Sequence, residues 1–552
     1  MADWNTHTVF NQVEEPTGIN LLTADPALAE ALQRADAGWA LPALTQYAAR
    51  LGDAATWRLA EEANRHLPTL HGFDARGRRI DQVEFHPSWH ALMEMYRGQG
   101  LIGQPFADGH KGRWAAWAAG FYLHGQVEQG TLCPATMTTA SIPVLQKEPA
   151  LWTQLQAQLL SPAYDARDLP LAQKTSLWLG MGMTEKQGGS DVRANTTVAT
   201  PIGAGGRGGE YLLRGHKWFF SAPMCDAHLV VARTGAGGPF ACFFVPRWRP
   251  DGSKNAVNVQ RLKDKVGNRS NSSSEVEFQD AWGILMGEEG RGIPTIIEMA
   301  TYTRLNCVLG SAAILRQALV QAIAYARQRE VFGKRLAEQP LMRAVLADLA
   351  LESEAAMALA LRLAEAYEDE ADPVQRAYKR ILTPAAKFWV CKRGVECTGE
   401  AMEVLGGNGY VDTSVVARLF RESPVNSIWE GSGNVMCLDV LRAIAREPEA
   451  AQALFADLAD AAAGEPRLLA TLQSLRGLLA QPPAQLEALA RVLAQRLVLV
   501  AQAALLRRHA PAAVADAFIA TRFGDADAGR VVGALDTRAI AVDALLARAL
   551  AA

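Results

Sequence analysis

Residues 181–192 read Met-Gly-Met-Thr-Glu-Lys-Gln-Gly-Gly-Ser-Asp-Val, and the interpretation of the whole chain depends on them. They predict a glycine-rich turn between an apolar run and a polar, β-like segment. Gly188 and Gly189 lack a Cβ, so backbone N–H groups there can approach a bulky anion such as a nucleotide phosphate. Thr184 and Ser190 add hydroxyls on either side. Alone, the stretch also fits a surface turn between two domains, so the other motifs must decide.

Composition and charge indicate an ordinary globular protein. Of the 552 residues, 49% are hydrophobic and 20% are charged, and the net charge is −3. This length allows about three or four domains. Because there is no overall positive field, DNA binding would require a local basic patch. The polar start lacks the features of a signal peptide, and the apolar run at 497–506 is too short to span a membrane. We therefore expect a cytoplasmic protein with no membrane partner.

The cysteines and histidines do not predict a metal site. The seven cysteines follow no CxxC spacing and are expected to be reduced, mostly buried thiols; they are Cys133, Cys225, Cys242, Cys307, Cys391, Cys397 and Cys437. Four histidines of the N-terminal region, at 86, 90, 110 and 124, also lack metal-ligand spacing.

Periodicity divides the chain into four predicted domains. Residues 1–180 are mostly helical, with amphipathic segments at 27–34, 41–51, 54–62, 89–96, 113–123 and 145–159. Residues 181–285 favour an antiparallel sheet or small barrel, with strands at 210–214, 217–221, 228–233, 240–245, 257–262 and 275–278. Residues 286–447 are again helical. Residues 448–552 predict about four helices in a separate terminal domain. The fold class is therefore α+β, mainly α.

Five motifs, in a fixed order, resemble the acyl-CoA dehydrogenase family. They are Met183-Thr184-Glu185 leading to Ser190-Asp191, Gly215-His216-Lys217-Trp218, Arg329-Glu330-Val331-Phe332-Gly333, Gly406-Gly407-Asn408-Gly409 and Trp429-Glu430-Gly431-Ser432. The resemblance implies an N-terminal helical domain, a central antiparallel β-domain and a C-terminal four-helix-type domain.

The chain is still more similar to one branch of that family, the flavoproteins of the bacterial adaptive response to DNA alkylation. This closer match rests on an additional terminal helical domain and on three short sequences: Lys186-Gln187-Gly188-Gly189, Asn195-Thr196-Thr197 and the opening Thr6-His7-Thr8-Val9-Phe10-Asn11-Gln12.

The resemblance implies that FAD is the cofactor and that Glu430 is the catalytic base. In the family, a glutamate removes an α-proton from an acyl-CoA while a β-hydride passes to the flavin. Ile428 and Trp429 give Glu430 an apolar neighbourhood that favours a raised pKa. From the residues alone, Glu430 could equally be a glutamate at a helix N-terminus, stabilised by the helix dipole.

The flavin contacts are also implied by the resemblance. Thr184 is expected to bind the flavin ring, Ser190 the pyrophosphate, and Trp218 is expected to lie against the ring. Phe220 departs from the family pattern, which often has a threonine there, so Ser221 is expected to supply the polar contact. The other predicted cofactor residues are Met181, Gly182, Met183, Gly188, Gly189, Phe219, Ile428, Trp429, Gly431 and, at the adenosine-phosphate end, Asn434.

A homotetramer is implied as well, with each FAD held across a pair of subunits. Arg329 is expected to reach the pyrophosphate of the neighbour's FAD, and Phe332, Gly406 and Gly407 are expected to pack there. The alternative for Arg329 is a solvated arginine on a basic helix.

Double-stranded DNA is the partner that the branch implies, bound by the terminal helical domain. From residue 450 onward there are ten arginines and nine acidic residues, which gives a net charge of only +1. The best local concentration of charge is Arg491, Arg496, Arg507 and Arg508. Composition fits an oligomerisation domain equally well.

The predicted function is that of an FAD-containing protein that binds double-stranded DNA and protects it against alkylation, with weak, isovaleryl-CoA-like acyl-CoA dehydrogenase activity. The alternative is a catabolic acyl-CoA dehydrogenase whose terminal domain only assembles the oligomer. A flavin-stabilised binding protein without turnover is a third hypothesis.

Overall fold

The computed structural model describes residues 6–106, 109–524 and 531–551, and the chain divides into two units. The barrel unit comprises Ala55–Cys307 and Ile428–Val435. The helical unit comprises Met1–Ala54, Val308–Ser427 and Met436–Ala552.

The N-terminal region is helical and contains one hairpin. Its helices are α1 (Pro26–Arg34), α2 (Leu41–Gly52), α3 (Ala54–Arg65), α4 (Pro87–Gly98), α5 (Arg113–Gly125), α6 (Leu132–Leu145) and α7 (Pro149–Leu160). The antiparallel hairpin joins β1 (Thr69–Phe73) and β2 (Arg79–Glu84). Proline is the first residue of α1, α4 and α7. A backbone N–H at this position has no acceptor within the helix, so the helix loses no hydrogen bond to proline.

Two of these elements were not predicted. The hairpin was missed because its strands are short and mostly exposed within a helical stretch. Helix α6 was missed because the Gly130 turn was taken to break the chain as far as Pro134, whereas the helix begins at Leu132. The predicted helix at 145–159 is α7, and it begins only at Pro149.

The central strands form a seven-stranded sheet that closes into a barrel. They are β3 (Leu179–Gly182), β4 (Val198–Pro201), β5 (Glu210–Phe220), β6 (Ala227–Thr234), β7 (Phe240–Pro246), β8 (Val257–Leu262) and β9 (Ser274–Met286). Strands β6, β4, β5, β9 and β7 pair in that order, and β7 pairs again with β6. β3 is added beside β6, and β8 beside β9. The pairings of β6 with β3 and β4 are parallel, and the others are antiparallel.

The barrel core consists of side chains that point inward from these strands, among them Tyr211, Phe220, Phe243 and Phe278. The two strands predicted at 210–214 and 217–221 are a single strand, β5. Its register against β9 shifts twice, at Leu213/Arg214 and between Lys217 and Phe220.

The second helical region contains the helices α8 (Gly292–Gln328), α9 (Pro340–Glu365), α10 (Pro373–Ala377), α11 (Thr383–Val404), α12 (Gly407–Tyr410), α13 (Val415–Asn426) and α14 (Gly433–Arg446). A two-residue hairpin, β10 (Glu330–Val331) with β11 (Lys334–Arg335), follows α8. A π-helical turn, Tyr378–Leu382, joins α10 to α11. Helix α8 is long and apolar enough to cross a membrane. Its most apolar segment is entirely buried within the protein, as in the core helix of a globular protein.

The terminal region adds α15 (Pro448–Ala461), α16 (Pro466–Leu479), α17 (Pro483–Ala488), α18 (Ala490–His509), α19 (Ala512–Arg522) and α20 (Val542–Ala549). These helices belong to the helical unit together with Val308–Ser427, so they do not form a compact unit of their own. Arg522 of α19 is buried between two acids of α9, with its guanidinium 2.8 Å from Glu352 Oε1 and bonded to Asp348.

Candidate functional site

A buried ion pair holds the glycine-rich turn of the barrel unit in place. Lys217 Nζ lies 2.8 Å from Glu185 Oε1, and both side chains are fully buried. Lys217 also donates to the carbonyls of Met183 and Val231. Glu185 accepts from the backbone N–H groups of Thr196 and Thr197. Burial works against ionisation, but the charge of Lys217 and these hydrogen bonds hold the pKa of Glu185 at about 2.

The turn presents hydroxyl groups beside its two adjacent glycines. Gly188 is buried, and a Cβ there would lie 2.5 Å from Asp191 O, so the turn itself requires this glycine. Gly189 and Ser190 are exposed, and Thr184 is half-buried. Within the described residues, the hydroxyls of Thr184 and Ser190 bond to no other part of the chain, so both are available to a ligand. Upstream, Met181 and Gly182 lie in β3, and Met183 follows them.

Trp218 lies in a cationic environment on β5. Lys263 Nζ is 3.8 Å from the centroid of its ring, Lys186 Nζ is 5.6 Å away, and Arg261 Cζ is 5.8 Å away. The neighbouring Phe219 is 50% exposed. Glu275 pairs with both Lys263 and Arg261, so one acid stands against the three cations around Trp218. This environment favours an anionic, aromatic ligand.

Phe220, the last residue of β5, and Ser221, which follows it, differ in what they can offer a cofactor. The Phe220 ring is fully buried in the barrel core and stacks on His228 at 4.0 Å, so its side chain is not available to a flavin. Phe220 stays a predicted cofactor residue, and its side chain lies in the barrel core. Ser221 is half-buried and directly follows the end of β5.

Glu430 lies in the turn between α13 and α14, and not at the first turn of a helix, since α14 begins at Gly433. Its φ is 59°, a left-handed conformation that is uncommon for a residue with a side chain and is often found at functional sites. Arg304 Nε donates to the Glu430 carbonyl at 3.1 Å, which helps to hold the turn. Ile428 is 66% exposed, Trp429 and Gly431 are half-buried, and Asn434 is exposed.

Cys133 of α6 is a buried cysteine, and the charge of Glu430 affects the pKa of its thiol. Burial, and next the negative charge of Glu430, raise the pKa of the Cys133 thiol to about 12. The charge of Lys265 and hydrogen bonds from Asn271 and Ser221 oppose the rise. The sequence analysis did not identify Cys133, Lys265 or Asn271 as site residues. Only Asn271 had a signal in the sequence, because it lies in the polar stretch Asn268-Arg269-Ser270-Asn271-Ser272-Ser273-Ser274.

The other predicted cofactor residues lie in the helical unit. Arg329 Nη1 donates to the carbonyl of Asn11, and Asn11 also exchanges hydrogen bonds with the Glu330 backbone at 2.7 and 2.9 Å. Phe332, at the tip of the β10–β11 hairpin, is 98% exposed. Gly406 and Gly407 are exposed as well. Arg329 is therefore held within its own chain, while the hairpin tip and the glycine turn are accessible.

The four arginines predicted to bind DNA separate into two pairs. Arg508 bonds to Asp457 and Asp460, and Arg507 bonds to the carbonyls of Ala461 and Ala463 at the end of α15. Arg507 and Arg508 thus bond within the chain, and their role in DNA binding stays a prediction.

The second pair, Arg491 and Arg496, is exposed, and neither forms an ion pair within the described residues. Arg496 donates to Ser474 of α16, and Arg491 lies 5.4 Å from the ring of Phe388, where Lys392 lies 6.0 Å away. Of the other arginines counted from residue 450 onward, Arg530 lies outside the described residues.

Comparison with known domains agrees with this arrangement. Residues 180–281 match the acyl-CoA dehydrogenase middle domain, and residues 290–445 match the acyl-CoA dehydrogenase C-terminal domain. Residues 11–166 match the adaptive response protein AidB N-terminal domain. The chain belongs to the acyl-CoA dehydrogenase family of FAD-dependent oxidoreductases, and within it to the AidB branch.

Individual relatives support the same assignment. The chain is 52% identical over 448 residues to the putative acyl-CoA dehydrogenase AidB of Escherichia coli (strain K12), covering 80% of this chain and 81% of the relative. The fold is similar to that of the Bd2924 apo-form, with a TM-score of 0.83 and 28% identity, covering 91% of this chain and all of the other. It is also similar to Caenorhabditis elegans ACDH-11 in complex with C11-CoA, with a TM-score of 0.84 and 24% identity, covering 98% and 97% of the two chains.

Proposed function

We propose that Glu430 is the base that removes the α-proton of an acyl-CoA, at a site where Thr184, Ser190 and Trp218 hold FAD. The observation that carries this proposal is the left-handed turn at Glu430, which is held by Arg304 in the same unit as the glycine-rich turn. When bound, FAD supplies the acceptor for the substrate's β-hydride.

The residues present fit this cofactor. The free hydroxyls of Thr184 and Ser190 can donate to the flavin ring and to a phosphate oxygen. Trp218 and Phe219 supply aromatic surface, and the cations beside them complement the negative pyrophosphate. The Glu185–Lys217 pair fixes the turn that carries Thr184, because Lys217 also binds the carbonyl of the preceding Met183.

The cofactor assignment is tested by adding FAD to the purified full-length chain. We expect a bound flavin absorption spectrum and a shift in the protein's melting temperature, because a ligand that binds only the folded state stabilises it. A chain that acquires neither would rule out the site.

The assembly proposal rests on exposed apolar groups in the helical unit. Phe332, Leu341 and Tyr410 are all at least 80% exposed, and large exposed apolar groups of this kind are typical of protein–protein interfaces. We assign them to contacts between the subunits of a homotetramer, beside the hairpin of Arg329 and the turn at Gly406 and Gly407.

A second function, binding of double-stranded DNA in protection against alkylation, is favoured by Arg491 and Arg496. Both arginines are exposed on α18 without an acidic partner in the described part of the chain, and Lys392 lies beside the same Phe388 ring as Arg491. Phosphate binding requires guanidinium groups whose charge is not already neutralised by an acidic side chain. Membership of the AidB branch supports the same role. Both DNA and acyl-CoA would be met in the cytoplasm.

Point variants test DNA binding better than removal of the terminal helices would. Truncation after Arg446 would remove Arg522 and leave Asp348 and Glu352 buried without that partner. We expect Arg491→Gln/Arg496→Gln to weaken binding to duplex DNA, and the slope of log affinity against log salt to fall by about 2, since each lost phosphate contact contributes about 0.9.

The matched control is Arg467→Gln/Arg538→Gln. It removes the same charge from arginines that already pair with Glu465 and Asp536. If both double variants weaken DNA binding equally, general charge explains the effect and the assigned patch is wrong. If wild-type affinity does not depend on salt, phosphate binding is excluded.

A further inference from the structure

The side chain of Asn11, near the beginning of the chain, pairs with a backbone that lies 319 positions further on. Asn11 Nδ2 donates to the Glu330 carbonyl at 2.7 Å, and the Glu330 N–H donates to Asn11 Oδ1 at 2.9 Å. This exchange in both directions is the pattern of a hydrogen-bonded residue pair on adjacent antiparallel strands. Asn11 therefore extends the edge of β10 as a neighbouring strand would.

Asn11 also binds the arginine that precedes Glu330. Arg329 Nη1 donates to the carbonyl of Asn11, and the guanidinium has no other hydrogen-bond partner in the described part of the chain. A guanidinium carries five N–H donors, so most of those of Arg329 remain available to a ligand. Asn11 thus orients this side chain without exhausting its capacity to bind.

The backbone of Asn11 suits this double contact. Its φ is 53°, a left-handed conformation that asparagine adopts more readily than most residues with a side chain. Its carbonyl and its side-chain amide both reach the same hairpin, at Arg329 and at Glu330. Asn11 lies in the opening stretch 6–12, on which the closer family match partly rests, and the contact gives this stretch a structural role.

The hairpin needs support from outside, because it is small and its turn is unfavourable. Strands β10 and β11 have two residues each, and a hairpin of this size is not stable alone. Its turn has Phe332 at a φ of 51° and Gly333 at 74°, and a left-handed conformation is uncommon for phenylalanine. Gln339 Nε2 donates to the Val331 carbonyl at 3.2 Å, and Asn11 holds Glu330.

We propose that Asn11 is a positioning residue for cofactor binding: it directs Arg329 so that the remaining N–H donors can bind the diphosphate of FAD. The ligand class follows from the hairpin, where Arg329 lies three residues before the exposed ring of Phe332. A guanidinium with free donors suits phosphates, and an accessible aromatic ring suits the base of a nucleotide. The inference rests on the proposed FAD site and homotetramer, and it assigns Asn11 no contact with FAD.

FAD binding to the deflavinated, full-length protein tests the proposal, with bound and free FAD separated by ultrafiltration. We expect Arg329→Gln to weaken FAD binding by about tenfold or more, because it removes a charge-assisted hydrogen bond to phosphate. Asn11→Gly keeps the left-handed backbone and the carbonyl but removes the amide, and it should weaken binding by about tenfold through lost preorganisation. Asn11→Asp keeps the acceptor for the Glu330 N–H and should weaken binding by less. It carries the test if Asn11→Gly does not fold.

The double variant Asn11→Gly/Arg329→Gln separates positioning from a general effect on stability. If Asn11 acts through Arg329, the double variant should bind FAD no more weakly than Arg329→Gln does, because residues that act together are not additive. Losses that add in the double variant would show that Asn11 acts elsewhere, and they would overturn the proposal. Wild-type affinity in both Asn11→Gly and Asn11→Asp would overturn it as well.

Asn20→Ala is the matched control. Asn20 is another asparagine of the N-terminal region, and its amide donates to the Thr45 carbonyl and accepts from the Leu22 N–H, both at 3.0 Å. We expect this variant to have a lower melting temperature and the wild-type affinity for FAD. If it weakened FAD binding as much as Asn11→Gly does, the effect of Asn11 would be general loosening and the proposal would fail.

Failure of the proposed function gives a different result from failure of this inference. If the wild-type protein binds no FAD, the cofactor site itself fails, and the role of Asn11 fails with it. If wild type and Arg329→Gln bind FAD with equal affinity, the cofactor site stands without Arg329, and only the positioning role is overturned.

Discussion

Glu430→Gln is expected to abolish reduction of the bound flavin by isovaleryl-CoA while leaving FAD binding intact. Glutamine has the size of glutamate and can occupy the same turn, but its amide cannot accept the α-proton. Loss of a general base typically slows a reaction by about 10²–10⁴-fold. Anaerobic stopped-flow measurement of the flavin absorbance, with FAD content determined for each preparation, gives the rate directly.

The control for this prediction is Glu288→Gln. Glu288 is a largely exposed glutamate of the same unit, and its cationic neighbour is the surface residue Arg207, 3.7 Å away. In the Glu288→Gln variant, isovaleryl-CoA should reduce the bound flavin at the wild-type rate. A Glu430→Gln variant that did the same would remove Glu430 from the role of base and leave the left-handed turn as a structural feature only.

Glu185→Gln is expected to lower the free energy of unfolding of the barrel unit by about 3–5 kcal/mol, because it leaves the Lys217 ammonium buried without its counter-charge. Chemical denaturation, followed by tryptophan fluorescence, measures the loss. The double variant Glu185→Gln/Lys217→Met should recover part of it, since removing both charges avoids the unpaired one. We expect weaker FAD binding in the single variant, because Lys217 also holds the carbonyl that precedes Thr184.

The same variant predicts a pH dependence. The pKa of Glu185 in the folded protein is lowered to about 2 from an ordinary value of 4.5. Its contribution to stability is therefore fully present above pH 4.5 and is lost as the pH falls towards about 2. The difference in unfolding free energy between wild type and Glu185→Gln should shrink over this range.

Asp280→Asn is the control for burial. Asp280 pairs with Arg214 at the surface, where the two side chains are 47% and 74% exposed, so its removal should cost no more than about 1 kcal/mol. A loss in Glu185→Gln as small as in this control, or one that does not change with pH, would contradict the account of the buried pair.

The architecture could be predicted from the sequence wherever the signal lies within a short stretch of residues. The strands of 181–285 and the glycine-rich turn could be predicted because alternating hydrophobic residues and turn residues recur at short intervals there. The predicted β-domain, an antiparallel sheet or small barrel, is confirmed apart from the two parallel pairings of β6, and the family assignment is confirmed as well. Helix α6 was missed because a turn at Gly130 and a proline at 134 imitate a loop, although proline is tolerated in the first turn of a helix.

The site was less predictable because its decisive contacts join residues that are far apart in sequence. Arg304 and the Glu430 carbonyl that it binds are separated by 126 positions, and no periodicity marks this contact. The pairing of Arg508 with Asp457 spans 51 positions, so residue counts could not show that its charge is already neutralised. Phe220 occupies a position where the family often has a threonine, and no local pattern shows that its ring is buried in the barrel core against His228.

The most direct test of the central claim is anaerobic titration of the FAD-loaded, full-length chain with isovaleryl-CoA, followed by its flavin absorption spectrum. An acyl-CoA dehydrogenase site built on Glu430 predicts loss of the oxidised flavin absorbance in wild type, and no loss in Glu430→Gln at equal FAD content. A wild-type spectrum that stays oxidised at saturating isovaleryl-CoA, or one that is lost equally in both proteins, would contradict the account.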